Sequence, residues 1–284
     1  MYNLRAHSCP YSIIRAANSA EPRPVYPFFR DEGGDKIITV VSPQHGRSFI
    51  VGKDEENRYI ISKGNGLSYT TASYIKTSES MFDVWGLLLK QDAIRDFVLG
   101  NEVASLGIQT NRMEYVLELD NPIQVCQERS INPILLQYSV ECPFRISDAL
   151  FIDKSCIEEY VWKWPAKFNI HEELPKHLIA AEVIVRTLST LHKHGIIHNA
   201  ITSQNITWAL ELLDFELACS PSHPYDNVDS QRHYVDLFER ELIYAYNIIL
   251  DIAGVLGEEA DFSQIENVFS RYDLMLKCWD YNRR

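Results

Sequence analysis

The chain of 284 residues is long enough for one large domain or a two-lobed one with an ample core, and 46% apolar with 23% charged residues is ordinary for a globular protein. A formal net charge of −12 argues against non-specific binding to nucleic acid or to an anionic membrane surface; a local cluster of cations still leaves room for a nucleotide. No apolar run reaches the ~20 residues of a membrane span. The six cysteines are dispersed, and the first residues lack the apolar core of a secretory signal, so reduced thiols and a cytoplasmic location are expected, with signal-less export left open.

Residues 1–36 read as an N-terminal extension, an arm laid over the first lobe, because Pro10, Pro22, Pro24, Pro27 and Gly33-Gly34 punctuate them without lasting periodicity. β-Branched runs at 37–41, 48–51 and 58–63, separated by turns, predict three strands, the last ending on Lys63. A polar loop is expected at 67–85. Residues 87–106 predict a helix, with Leu88, Ala93, Phe97 and Ala104 at three- and four-residue steps and Gly107 as its stop. Strands are expected at 113–120 and 131–140, and helical structure at 148–168. The clearest helix is 172–194, closed by Gly195. After a loop at 217–227, helices are expected at 228–256 and 261–279.

Between Gly195 and that loop lies the most informative stretch, GIIHNAITSQNITWALELLDFE. It predicts a short strand pair at 206–213 with Asn205 and Asp214 at its two ends. A carboxamide and a carboxylate converging there suit a hard divalent cation bound to nucleotide phosphates. Protein kinases use H-R-D-x-x-x-x-N followed by D-F-G for this purpose. His198, Asn205 and Asp214-Phe215 hold the corresponding places, but Ala200 stands at the catalytic Asp and Glu216 at the Gly. His192, His194 and His198 match no common zinc spacing; His198 is expected to orient the loop from inside.

The loop also resembles that of the selenoprotein O family, kinase-like proteins that transfer AMP from ATP to protein hydroxyls and hold the nucleotide flipped. HGRSFIVG at 45–52, KGNG with Ser68-Tyr69, and IRDFVLGNEVASLGIQTNR at 94–112 resemble its G-D-G-R-A-x-L-I-G, K-G-A-G-x-T-P-Y-S and helix motifs in the same order. The resemblance spans roughly 43–216. It implies an α+β, bilobal, protein-kinase-like fold: the extension 1–36, a β-rich N-lobe at 37–143 and a reduced helical C-lobe at 144–284. It implies ATP with Mg²⁺ or Mn²⁺, and a protein substrate. By the same resemblance Lys63, steadied by Asp96 of the helix, with Glu102 one residue out of register as the alternative acid, meets the phosphates; Gly46 and Arg47 adjoin the nucleotide; Asn205 and Asp214 carry the metal; Arg145 clamps the terminal phosphate. Tyr138 occupies the place of a second clamp arginine, which a phenol does not replace. Gln204 departs from the Asp that precedes the metal Asn in that family. With Ala200, this leaves no proton acceptor at either base position, so slow turnover is expected. Two alternatives remain: a non-catalytic nucleotide-binding regulator or scaffold, and a small-molecule or protein kinase.

Overall fold

The computed structural model describes residues 1–17, 21–26, 34–41, 47–65, 86–126, 129–224 and 230–275. Gly46, with most of its turn, and the loop expected at 67–85 lie outside these residues.

The expected strands form as β4 (Lys36–Val40), β5 (Ser48–Lys53), β6 (Tyr59–Lys63), β7 (Arg112–Leu119) and β10 (Ile134–Val140). A small hairpin not anticipated from the sequence, β8 (Ile123–Cys126) with β9 (Arg129–Ile131), interrupts the chain between β7 and β10. Every residue of β10 is buried. That is why its sequence, ILLQYSV, reads as a near-continuous apolar run: it lies between β7 and β6, away from the sheet edges.

The described residues of 1–36 are built into the sheet of the first lobe rather than laid over it. They supply β1 (Tyr2–Ser8), β2 (Tyr11–Ala16) and β3 (Val25–Tyr26) to a single eight-stranded sheet of order β2-β7-β10-β6-β5-β4-β1-β3. β1 and β2 are separated by Cys9 and Pro10 alone, yet lie toward opposite ends of that order. The sheet must therefore curl until its two ends approach one another. The Cys9 N–H donates to Pro24 O at 2.8 Å and the Asp120 N–H to Pro10 O at 2.9 Å. Cys9 and Tyr26 share a core with Tyr115, Leu117, Leu119 and Leu135. Pro10, Pro22 and Pro24 sit between short strands rather than within them, where a missing N–H costs no ladder bond. Short strands with one wet face leave little periodicity to read.

Helix α1 (Lys90–Ser105) packs on β7 and β10 through Ala93, Phe97, Leu99 and Val103. The second lobe is helical. The helical structure expected at 148–168 forms as a 3₁₀ turn (Ile146–Leu150), α2 (Lys154–Val161) and α3 (Trp164–Phe168), with Pro165 opening α3 and left-handed Asn169 closing it. α4 (Lys176–Lys193) follows Pro175 and buries Leu178, Ile179, Val183, Ile184, Leu188 and Leu191 against α5 (Ser230–Leu256) and α6 (Phe262–Arg271). At the start of α6 the Asp261 carboxylate accepts the Ser263 N–H at 2.8 Å, capping the helix.

Glu211 ties the two lobes. It has no solvent exposure, yet it accepts the Glu141 N–H at 3.0 Å, the Cys142 N–H at 3.3 Å and Arg58 Nη2 at 2.8 Å. A hairpin tip is thereby fastened to the segment joining the sheet to the helices.

Candidate active site

The strand pair expected at 206–213 is a tight hairpin. Ile206 bridges Leu212, the Thr207 N–H donates to Glu211 O at 3.0 Å, and Leu210 turns the chain at φ 58°. The Leu213 N–H donates to Asn205 O at 2.8 Å, which fixes Asn205 beside the residue that precedes Asp214.

His198 locks this hairpin to the loop. Its Nε2–H donates to Leu213 O at 2.8 Å and its Nδ1 accepts the Ala200 N–H at 3.3 Å, so the partners define the Nε2–H tautomer. Burial lowers its pKa and keeps the ring neutral, and the ring meets Phe215 edge-on at 5.0 Å. From α5, Glu241 accepts the Asn199 N–H at 2.6 Å and faces His192 Nε2 at 2.8 Å. His194 meets Thr190 O instead, so the three histidines serve three separate contacts.

Alternation along β6 sends Ile61 and Lys63 to the same face. Lys63, only 2% exposed, donates to Asp96 Oδ2 at 2.9 Å and to Asp214 Oδ1 at 2.8 Å. Asp96 Oδ1 accepts the Phe215 N–H at 2.9 Å, so one carboxylate orients both the lysine and the D-F turn. Aspartate reaches because α1 lies close. A Cβ on Gly100 would meet Met113 Cε at 2.3 Å and Phe215 Cδ2 at 3.4 Å. Glu102, the other candidate acid, binds the Ser220 and Ser222 hydroxyls instead.

Ser48 lies opposite Lys63 in the β5–β6 ladder, and Arg47 O accepts the Gly64 N–H at 2.8 Å; Arg47 is thus set beside the lysine. Its guanidinium lies 2.6 Å from Glu216 Oε1 and 3.5 Å from Asp214 Oδ2. Glu216 Oε2 lies 3.2 Å from Lys63 Nζ. One oxygen each of Asp96, Asp214 and Glu216 falls within 4.8 Å of the others, gathered around two cations. In the sequence Glu216 stands out only as a missing glycine. Its partners, Arg47 just before β5 and Lys63 at the end of β6, lie more than 150 residues away, which no local pattern announces.

Burial works against ionisation of Asp214, but Lys63, Arg47 and Arg145 outweigh it and hold the carboxyl well below the usual range. Burial likewise opposes the charge on Lys63, yet Asp214 and Asp96 prevail and its ammonium is held above its ordinary value.

Among the described residues three hollows adjoin this cluster; one of about 380 Å³ opens on the far side of Arg47, beside Leu88, Asp92 and Ile134, and the other two lie next to Arg145. A polar cavity of about 260 Å³ is lined by Arg47, Arg145, Gln204, Asn205, Asp214 and Glu216, among others. Asn205 Nδ2 donates to Ala200 O at 2.8 Å, so its amide oxygen faces the other way. Arg145 is held by Gln204 O at 2.8 Å. Beside the Glu141–Pro143 connection, the second hollow is an apolar slot walled by Phe49, Ile61, Tyr138, Val140 and Leu213, with only about 10 Å³ free. That is room for roughly one water. Arg145 and Ser48 line both hollows. Lys63, Asp96, Arg47, Arg145, Asn205 and Asp214 are thus brought to one place; Gly46 lies outside the described residues.

A strand lysine paired with a helix acid, a loop asparagine and an Asp-Phe turn beneath them stand in the arrangement expected of a protein-kinase-like α+β fold. No family model matches the chain, and no curated protein matches it. Among solved structures it is similar to a Stt7 homolog from Micromonas algae, soaked with ATP: 12% identity, 95% of this chain and 81% of that one covered, TM-score 0.49. It is also similar to the kinase domain of a rhoptry antigen specific to Toxoplasma gondii: 10% identity, 83% and 76% covered, TM-score 0.44. Among the described residues no helix is long and apolar enough to cross a membrane.

Proposed function

We propose that this protein is an ATP-dependent transferase that moves AMP to a protein hydroxyl, as its resemblance to the selenoprotein O family implies. The contrast between the two hollows next to Arg145 carries this reading. In the kinase orientation a purine enters beside the connection between lobes, where about 10 Å³ is free. Of these two hollows the polar cavity, about 260 Å³, is the open one, and Arg145 lines both. A nucleotide placed phosphates-inward, with its base toward solvent, suits that distribution. Arg145 then receives the terminal phosphate, while Lys63 and Arg47 face the phosphate chain.

Asn205 and Asp214 have the hard oxygen chemistry that suits Mg²⁺ or Mn²⁺, and they line one cavity. Such an ion supplies neutralisation of phosphate charge when bound. The substrate hydroxyl oxygen bonds to the α phosphorus as the bond to pyrophosphate breaks, and the hydroxyl proton leaves to solvent or to the substrate's own groups. Positioning and charge neutralisation supply most of the acceleration in such displacements. Without a base at Ala200 or Gln204 the reaction is slow rather than absent.

A second reading, nucleotide binding without transfer, draws on those same two positions. ATP labelled at the α or the γ phosphate, incubated with the protein and Mg²⁺ or Mn²⁺, decides between them. Label retained on protein only from the α position supports AMP transfer. Retention only from γ replaces it with protein phosphorylation, and label on a metabolite with a small-molecule kinase. Metal-dependent thermal stabilisation without transfer leaves the second reading standing.

A further inference from the structure

Glu216 does something its place in the motif does not anticipate. Its two carboxylate oxygens take one cation each, Oε1 on Arg47 at 2.6 Å and Oε2 on Lys63 at 3.2 Å. A phosphate group presents its non-bridging oxygens to a guanidinium and an ammonium in the same manner. Arg47 and Glu216 line the polar cavity, and the ammonium of Lys63, only 2% exposed, lies behind them. We infer that Glu216 is a resident occupant of a phosphate subsite, and that a phosphate-bearing ligand must displace it to reach Arg47 and Lys63. This rests on reading the cavity as a phosphate site.

Three observations support displacement rather than permanent closure. The hydrogen bonds of Lys63 go to Asp96 and Asp214, both under 3.0 Å. Glu216 Oε2, by contrast, holds an ion pair with Lys63 but no hydrogen bond among the described residues. Of the three carboxylates around the lysine, Glu216 is also the one with the most solvent exposure, 19% against 14% for Asp214 and 1% for Asp96. Finally, the charge count favours exchange. Lys63, Arg47 and Arg145 already face the three carboxylates Asp96, Asp214 and Glu216, so no unmatched positive charge is offered to an incoming phosphate until Glu216 swings away. With Glu216 gone, Asp96 and Asp214 still neutralise and orient Lys63 and Arg47, and the donors remain in place for a new anion.

The test uses inorganic tripolyphosphate without metal, titrated calorimetrically into wild type, Glu216→Gln and Glu216→Asp at fixed ionic strength. Tripolyphosphate has no base and no AMP to give, so its binding is read independently of the transfer reaction, which the labelled-ATP assay scores by itself. Loss of one charge-assisted contact that competes for the subsite is expected to tighten binding about tenfold or more in Glu216→Gln. Glu216→Asp, which keeps the charge but draws it back by one methylene, is expected to fall between. Thermal midpoints of the unliganded proteins report whether each variant is folded; if Glu216→Gln is not, the Glu216→Asp shift decides. Equal or weaker binding in the folded variant overturns the inference, as does failure of wild type and variants alike to bind tripolyphosphate. Weaker binding of Mg²⁺·ATP together with unchanged tripolyphosphate binding would assign Glu216 to the cation instead, which also overturns it.

Discussion

At the scale of single residues, Asp214 makes the sharpest claims. Its carboxyl is buried, yet Lys63, Arg47 and Arg145 keep it ionised. In the unfolded chain an aspartate titrates near ~3.9. Because the folded-state value is lower, the unfolded chain binds more protons in mild acid. The contribution of Asp214 to stability is therefore complete above about pH 4 and fades as pH falls toward the folded value. Comparing urea midpoints of wild type and Asp214→Asn between pH 3 and pH 7, the gap should be widest at pH 7 and shrink toward pH 3. A gap that stays constant would separate Asp214 from this ion cluster. The same variant should abolish metal-dependent stabilisation by ATP, measured as a thermal shift with Mn²⁺; an unchanged shift would remove Asp214 from the nucleotide site. Lys63, Asp96, Asn205 and Asp214 were legible because each holds a fixed place in a local motif. Glu216 was not, since a carboxylate acquires its role from what faces it across the fold, and Arg47 lies 169 residues away.

Among the elements, the 205–213 hairpin does two jobs. One end aligns Asn205 with Asp214, and its tip, through Glu211, fastens the connection between lobes. A fully buried carboxylate with an arginine and two backbone N–H partners is costly to remove, because the partners are left without an acceptor. Glu211→Ala is expected to lower unfolding stability by about 3 kcal/mol or more. The double variant with Arg58→Ala should lose clearly less than the sum of the two single losses, read from denaturant midpoints. Additive losses would mean that the two side chains act independently. β4, β5, β6, α1, α4 and α5 could be placed from the sequence because a run of β-branched residues or a 3.6-residue stripe is a local signal. The interlobe role of Glu211 is a long-range pairing, while β8 and β9, four and three residues long, pair only with each other. Neither leaves a periodic trace.

For the molecule as a whole, the decisive feature is that the first strands of the chain close the sheet. An arm laid over a finished lobe would tolerate polar substitutions along its length. A strand pair at the two ends of a curled sheet would not, at least on its inner face. Ala6 is fully buried in a cluster with Val25, Ile38 and Phe49, whereas Ile13 on β2 is 52% exposed. Ala6→Asp places an unpaired charge in that cluster and is expected to cost more than about 4 kcal/mol, a large share of the ~5–15 kcal/mol that holds a domain together. Ile13→Asp, on the exposed side of β2, is expected to change stability by less than about 1 kcal/mol. Circular dichroism melts of both variants separate the two architectures. If Ala6→Asp melts with wild type, β1 is dispensable and the lobe closes without it. If it unfolds early while Ile13→Asp does not, the scaffold that holds Lys63 and Arg47 in register depends on the chain's opening residues. Nucleotide binding should then be lost together with the fold, since β5 and β6 reach the site through the same sheet that β1 completes.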